Sequence, residues 1–344
     1  MSAAAETRPK QQADVVAETV ARLRRAIKRR FGEGAAIENL SAATLGGSNR
    51  TLIFDLVDGA ARRRLVFRQE TYRLPDSPFI APHDQYRLLE IVNRHGLPVP
   101  EPIFELEAAD ALDRGYVVAC VDGETLPRRL LNDGAFAAAR AGFARDAGTI
   151  LGRLHRIDPA LGEFLAATPD SRDPIAAQRA RYLHYGEAHP ALEVGFRWLE
   201  THRPAAPRRC LVHGDFRNGN LIMGPDRIRA VLDWECAHLG SPMADLGWLC
   251  LRSWRFGNND RHVGGFGDRE PFYAAYEEAS GWPVDREEVF YWEIAGFVRW
   301  AVLNIMQRHG HTSGARRSVA FAACGRNAAM IEYDLLMTLL GHYA

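Results

Sequence analysis

The chain has 344 residues, is 47% hydrophobic and 25% charged, and carries 43 basic against 43 acidic side chains. That length supports a large core, in one bilobal unit or in two domains. A formal net charge of zero offers no global field to nucleic acid or an anionic membrane surface, so neither is an expected partner. Five scattered cysteines, an odd number, point to reduced thiols rather than a disulfide framework. The amino terminus carries Glu6, Arg8 and Lys10 and no apolar leader, and no run of about 18 uncharged apolar residues follows. The expectation is a cytoplasmic protein without a membrane span; nothing in the sequence speaks to oligomeric state.

Residues 1–12 are polar and small, and composition predicts disorder. From Asp14 to Phe31, Val15, Val16, Val20, Leu23, Ala26, Ile27 and Phe31 recur at helical spacing, with Asp14 to cap and Gly32 to stop. Strands are predicted over 37–45, 51–57 and 63–69. Gly46-Gly47-Ser48-Asn49 joins the first two, a turn that suits an ordinary hairpin or a close approach of backbone N–H groups to phosphate oxygens. A helix over 82–95 leads into the Pro-stiffened connector 97–102, then strands over 103–107 and 116–121. At Asp122-Gly123 the composition turns helix-rich, which sets a lobe boundary between 13–121 and 122–344, with 119–122 as hinge. Ala135 to His155 reads as a long helix, and His155 at its end as a packing residue rather than a catalytic one. Residues 159–190 read as mixed and Pro-interrupted, and 192–200 as a helix.

The informative stretch is 211–235. Leu211-Val212 and Leu221-Ile222-Met223 bracket a polar loop that holds His213, Asp215, Asn218 and Asn220. A Gly224-Pro225-Asp226 turn and a third run, Ile228 to Leu232, deliver Asp233, so the last two runs pair as a hairpin. All three polar ends then gather at one end of a small sheet. A carboxylate that accepts a proton, with an Asn and an Asp to hold a hard cation, is what metal-assisted phosphoryl transfer needs. Four residues separate Asp215 from Asn220, the spacing between the base Asp and metal-binding Asn of protein kinases.

His213-Gly214-Asp215 through Asn220, followed by Leu232-Asp233-Trp234-Glu235, resembles the aminoglycoside phosphotransferase and choline kinase superfamily. Within it the likeness is to phosphotransferase-like proteins related to the amino-terminal domain of long acyl-CoA dehydrogenases. The resemblance spans roughly 35–340 and implies an α+β, protein-kinase-like bilobal fold: a small antiparallel-sheet N-lobe and a larger, mostly helical C-lobe. It implies transfer of the γ-phosphoryl of ATP or GTP to a small-molecule hydroxyl. Asp215 would be the base, and Asn220 and Asp233 the Mg²⁺ ligands. Gly46, Gly47, Ser48, Asn49 and Arg68 would bind the nucleotide's phosphates. Gln85 falls where the family carries the Glu that holds the Arg68 cation, a departure that removes a charge pairing. A Gly-x-Pro-x-x-Asp-Leu run places Asp245 as an anchor of the catalytic loop. Glu235, two residues past Asp233, falls on the same side if the chain stays extended and is a candidate for a second metal.

Two other chemistries are set aside. Cys210, His213, Cys236 and His238 suggest zinc superficially, but His213 belongs to the loop motif and Cys-x-His is tight for tetrahedral geometry. No Gly-x-Ser-x-Gly elbow supports a serine hydrolase. Residues 248–306 read as helical and aromatic, mostly core with some pocket lining, and 264–267 as a mobile loop. Between Asp245 and Arg317 the charges nearly balance, which disfavours a polycationic aminoglycoside. A more apolar hydroxylated metabolite is expected, by resemblance a hydroxyacyl thioester. The alternative is a catalytically silent relative that binds a nucleotide or metabolite as a regulator.

Overall fold

Leu23, Ala26 and Ile27, three and four residues apart, are buried along one side of helix α1 (Ala3–Phe31). The structure, a computed structural model, describes residues 3–42, 49–71, 73, 77–205 and 208–343. Helix α1 begins at Ala3, ahead of the start at Asp14 expected from the sequence. An alanine-rich start has high helix propensity, and a cap signal downstream does not force a later start.

Met1–Ser77, Ala81–Arg87 and Pro100–Cys120 form one unit. Its antiparallel sheet contains β1 (Ala36–Ala42), β2 (Asn49–Asp58), β3 (Ala61–Glu70), β4 (Pro102–Glu105) and β5 (Gly115–Ala119) in the order β1-β2-β3-β5-β4. Alternation selects the faces: Leu65, Phe67 and Gln69 of β3 are buried, whereas Val66, Arg68 and Glu70 are only partly so. Leu23, Ile27, Phe54 and Phe67 share one apolar core. Arg30 of α1 grips buried Asp110 with two N–H groups at 2.8 and 2.9 Å. Burial pushes that carboxyl up, but the Arg30 bonds outweigh it and hold its pKa below the usual range. Helix α2 (Pro82–Arg94) gives its first turns to this unit and its later ones to the second.

The second unit comprises Pro78–Ile80, Leu88–Val99 and Val121–Ala344. After α3 (Pro127–Asn132) and α4 (Ala137–His155), the region expected to be Pro-interrupted holds α5 (Pro169–Arg172) and α6 (Pro174–Tyr185). Pro169, Pro174 and Pro190, the last opening α7 (Pro190–Thr201), each occupy a first helical position, where a missing N–H costs nothing. Short strands follow: β6 (Cys210–Val212), β7 (Leu221–Met223), β8 (Ile228–Val231) and β9 (His238–Gly240). The predicted hairpin is β7–β8, but β6 pairs with β9 in a separate ladder, so two small sheets stand where one was expected. Helices α8 (Met243–Cys250), α9 (Arg269–Ser280), α10 (Arg286–Thr312), α11 (Val319–Arg326) and α12 (Ala328–Leu339) complete the chain. Among the described residues no helix is long and apolar enough to cross a membrane.

Glycine sets how closely α4 and α9 approach. A Cβ on Gly148 would lie 2.3 Å from the Phe272 carbonyl oxygen, and one on Gly152 would lie 2.8 Å from the Ala279 Cβ. Gly148→Ala therefore forces the backbones apart and is expected to cost about 1–3 kcal/mol. Chemical denaturation of the variant checks this; a loss below about 0.5 kcal/mol contradicts the close packing.

Candidate active site

The loop from 213 to 220 leaves β6 and enters β7, and its geometry is fixed from beneath. Gly214 has φ +77°, and a Cβ there would lie 2.3 Å from the Cys236 carbonyl oxygen, so only glycine fits. The N–H groups of His213 and Gly214 donate to the two oxygens of Asp245, both at 2.8 Å. Asp245 sits on α8 and is fully buried. Its Oδ2 also lies 3.2 Å from Nε2 of His155, while His155 Nδ1 is 3.1 Å from the Tyr276 hydroxyl. The carboxylate only accepts, so Nε2 of His155 donates to it. Burial pushes the Asp245 carboxyl up, but the His155 hydrogen bond and the backbone donation from His213 outweigh it. Its pKa is held below the usual range.

Asp215 is held by every neighbour as an acceptor. Oδ1 takes Trp248 Nε1–H at 3.0 Å and Arg217 Nε–H at 3.2 Å, and Oδ2 takes Asn220 Nδ2–H at 2.6 Å. The same amide nitrogen reaches the Asp215 carbonyl at 3.0 Å. His213 fixes the loop from the other side: Nε2 donates to the Leu232 carbonyl at 2.9 Å and Nδ1 accepts the Asp215 N–H at 3.1 Å. Protonating Nδ1 would break that second bond, and burial likewise pushes the His213 pKa down.

Asp233 reaches the same place through its backbone. The Leu232 N–H donates to the Asn220 carbonyl at 2.8 Å, and the Leu232 carbonyl accepts from His213, so residue 232 is clamped on both sides. The chain then turns at Asp233, which adopts φ 59°, ψ 62°. Asp tolerates this left-handed region better than most residues, at a cost of about 1–2 kcal/mol. Among the described residues no three His, Cys, Asp or Glu side chains are grouped as a metal site. Asn220 and Asp233 offer a different set. With both Nδ2 bonds spent on Asp215, Asn220 has its Oδ1 as the acceptor end, and an amide oxygen and a carboxylate are both donors that suit a hard cation which also takes ligands from phosphate. The donor chemistry therefore fits Mg²⁺.

The profile of a phosphotransferase enzyme family matches residues 39–289. The chain belongs to that family. Acyl-CoA dehydrogenase family member 10 of Mus musculus is 30% identical over 60% of the phosphotransferase chain and 20% of its own length. Family member 11 of Rattus norvegicus is 30% identical over 45% and 21%, so the chain spans about a fifth of the curated relatives it matches. Solved structures share the fold. A Ralstonia eutropha protein named as a candidate aminoglycoside phosphotransferase superposes with TM-score 0.68 at 23% identity, covering 92% of this chain and 96% of its own. The GDP complex of an aminoglycoside 2'-phosphotransferase-IIIa gives 0.60 at 13% (91% and 97%), and Plasmodium vivax ethanolamine kinase 0.59 at 14% (88% and 83%). The fold is α+β and protein-kinase-like, with a small antiparallel-sheet lobe and a larger, mostly helical one.

Asp215 and Asn220 are thus bonded to each other, and Asp233 follows Leu232, whose backbone is bonded to Asn220 and His213. Gly46, Gly47 and Ser48 lie outside the described residues, and Asn49 opens β2. Arg68 stands in register opposite Tyr116, whose hydroxyl donates to buried Gln85 at 3.2 Å, so Gln85 meets the cross-strand neighbour of Arg68. The chain does not stay extended past Asp233: Glu235 sits in the 3-10 turn Trp234–Cys236, which removes the ground for placing it on the Asp233 side. The 264–267 segment, expected to be mobile, is packed. Gly264 to Phe266 are buried, and the Gly264 carbonyl accepts from Asn218 Nδ2 at 2.7 Å. Sequence reasoning missed Trp248, although it follows Asp245 by three residues and so shares its helix face. It also missed Arg217, whose guanidinium lies 4.7 Å from the Trp254 ring centroid.

Proposed function

We propose that this phosphotransferase moves the γ-phosphoryl of ATP, or GTP, to a hydroxyl of a small molecule, with Asp215 as base. The observation that carries the reading is Asp215 itself, a carboxylate oriented by three N–H donors and bonded to Asn220, four residues further along the catalytic loop. An acceptor hydroxyl directed at this carboxylate loses its proton to Asp215 as its oxygen bonds to phosphorus and the nucleoside diphosphate leaves. In a loose transition state, positioning outweighs basicity, which is why a rigid Asp215 matters. Asn220 and Asp233 would hold Mg²⁺, which would supply charge neutralisation to the nucleotide's phosphates. Arg68 and the 46–49 turn bind those phosphates. The solved neighbours named as GDP and ADP complexes support a nucleotide co-substrate.

For the acceptor we favour a hydroxyacyl thioester over an aminoglycoside. The relatives named as acyl-CoA dehydrogenases support it, and so does the near-balanced charge between Asp245 and Arg317. Gln85, neutral where the family carries Glu, is the feature that favours the silent-binder reading instead.

The experiment is nucleoside diphosphate release, with phosphorylated product identified by mass spectrometry. Hydroxyacyl thioesters, simple diols and kanamycin serve as acceptors. The expected result is turnover about tenfold or more above the water background with a thioester and none above background with kanamycin. No phosphorylated product from any acceptor, with Mg²⁺ and nucleotide present, overturns the enzyme reading and leaves the silent binder.

A further inference from the structure

A cavity of about 40 Å³ lies beside Gly214 and Trp248, the residues that adjoin Asp215 in the chain and in hydrogen bonding. At about 10–15 Å³ per water, it holds roughly three waters or one small ligand group. Pro174, Ile175, Ala244, Trp292 and Ala295 give it mostly apolar walls. Polar groups interrupt that lining in a pattern their neighbours do not satisfy.

Arg299 of α10 lines the cavity with its guanidinium stacked 4.6 Å from the Trp248 ring centroid. It donates to the Gly214 carbonyl, and among the described residues it forms no ion pair. Asp170 lines the same space, but its carboxylate is already taken by two Arg181 bonds at 3.1 and 2.5 Å. His238, also in the lining, donates Nδ1–H to the Cys236 carbonyl at 3.0 Å, and burial keeps its ring neutral. Arg299 is therefore the unspent cation of this cavity. Gln178, 3% exposed, commits its Nε2 to Asp170 at 3.2 Å, which leaves a buried Oε1 that accepts from nothing. A buried acceptor without a donor costs about 1–3 kcal/mol, so a ligand or water must bring one.

We infer that this cavity is a subsite for a carboxylate that carries a neighbouring hydroxyl. The carboxylate oxygens take Arg299 N–H groups, and the hydroxyl donates to Gln178 Oε1. A fork-shaped guanidinium matches a carboxylate in geometry, and among the described residues its free N–H groups have no carboxylate within ion-pair distance, although Asp170 and Asp215 already favour its charge from further off. The inference rests on the phosphotransferase reading only in that the cavity adjoins the Asp215 loop; a hydroxyacyl thioester has no free carboxylate, so the occupant is a separate small hydroxy acid or an acceptor that carries one.

Saturation-transfer NMR on the full chain tests it with three probes of matched size: glycolate, acetate and ethylene glycol. Glycolate is expected to bind about tenfold more tightly than ethylene glycol and about threefold more tightly than acetate. Arg299→Met should abolish the first preference, and Gln178→Met only the second. Arg299→Lys, which keeps the charge, should retain preference for the anion and serves if the Met variant does not fold. Equal binding of glycolate and ethylene glycol, an unchanged preference in Arg299→Met, or no probe binding at about 100 mM overturns the subsite and leaves ordered water as the occupant. Thermal shift with Mg²⁺ and ATP on the same samples reads the phosphotransferase reading separately, so the two can fail independently.

Discussion

Asp215→Asn is expected to lower phosphoryl transfer by about 10²–10⁴-fold while nucleotide affinity changes by less than about twofold. The substitution preserves shape and removes the proton acceptor. It also disturbs the loop in a defined way, because all three groups around the carboxylate are donors: Trp248 Nε1, Arg217 Nε and Asn220 Nδ2. An NH₂ at the Oδ2 position faces the Asn220 N–H and loses one bond, and at the Oδ1 position it faces both Trp248 and Arg217 and loses two. The loss should appear mainly in kcat, since Trp248 and Arg217 have no part in the nucleotide site and Asn220 meets Asp215 through its Nδ2 rather than the Oδ1 assigned to the metal. Steady-state kinetics beside nucleotide titration separates these effects. A variant that keeps more than about a tenth of wild-type kcat contradicts the role given to Asp215.

Asp245→Ala should cost about 3–5 kcal/mol and remove the order of the catalytic loop. The carboxylate is fully buried and accepts from the His213 and Gly214 backbone and from His155. Truncation strands those donors in a cavity that water reaches poorly. The pH dependence follows from the direction of its shift. Its folded pKa is below the unfolded value of about 3.9, so between the two the unfolded chain binds the extra proton and stability rises with pH. The contribution is fully present above about pH 4–5 and is lost as pH falls through the depressed folded value. Denaturation of wild type and Asp245→Ala from pH 7 to pH 3 should therefore show a stability gap that narrows only at the acid end. A gap independent of pH, or one that narrows near neutrality, contradicts the ionised anchor.

Motif spacing carried much of the site into view. Asp215, Asn220 and Asp233 were legible because loop and hairpin signals place them together whatever the surrounding helices do, and Asp245 because its run follows the motif. What stayed hidden depends on long-range packing. Trp248, Arg299 and Tyr276 reach the loop or its anchors from three helices, and no local pattern says which face of a helix meets a loop formed many residues away. His155 was legible as a packing residue, yet its two ring contacts make it the support of Asp245. β6–β9 pairing escaped because His238-Leu239-Gly240 is too short to show alternation. Pro169 and Pro174 were read as breakers because proline starts a helix and stops one with the same residue.

The central claim is that Asn220 and Asp233 form, with a nucleotide, one metal-dependent site. Thermal unfolding with Mg²⁺ alone, ATP alone and both together, on wild type and Asp233→Ala, tests it most directly. A ligand that binds only the native state stabilises it by mass action, by about 2.7 kcal/mol at a hundredfold excess over Kd, and so raises the midpoint. The account predicts that Mg²⁺ with ATP stabilises the wild type beyond the sum of the separate effects, and that Asp233→Ala abolishes the excess. A wild type unmoved by millimolar ATP with Mg²⁺, or an excess that survives in Asp233→Ala, contradicts it.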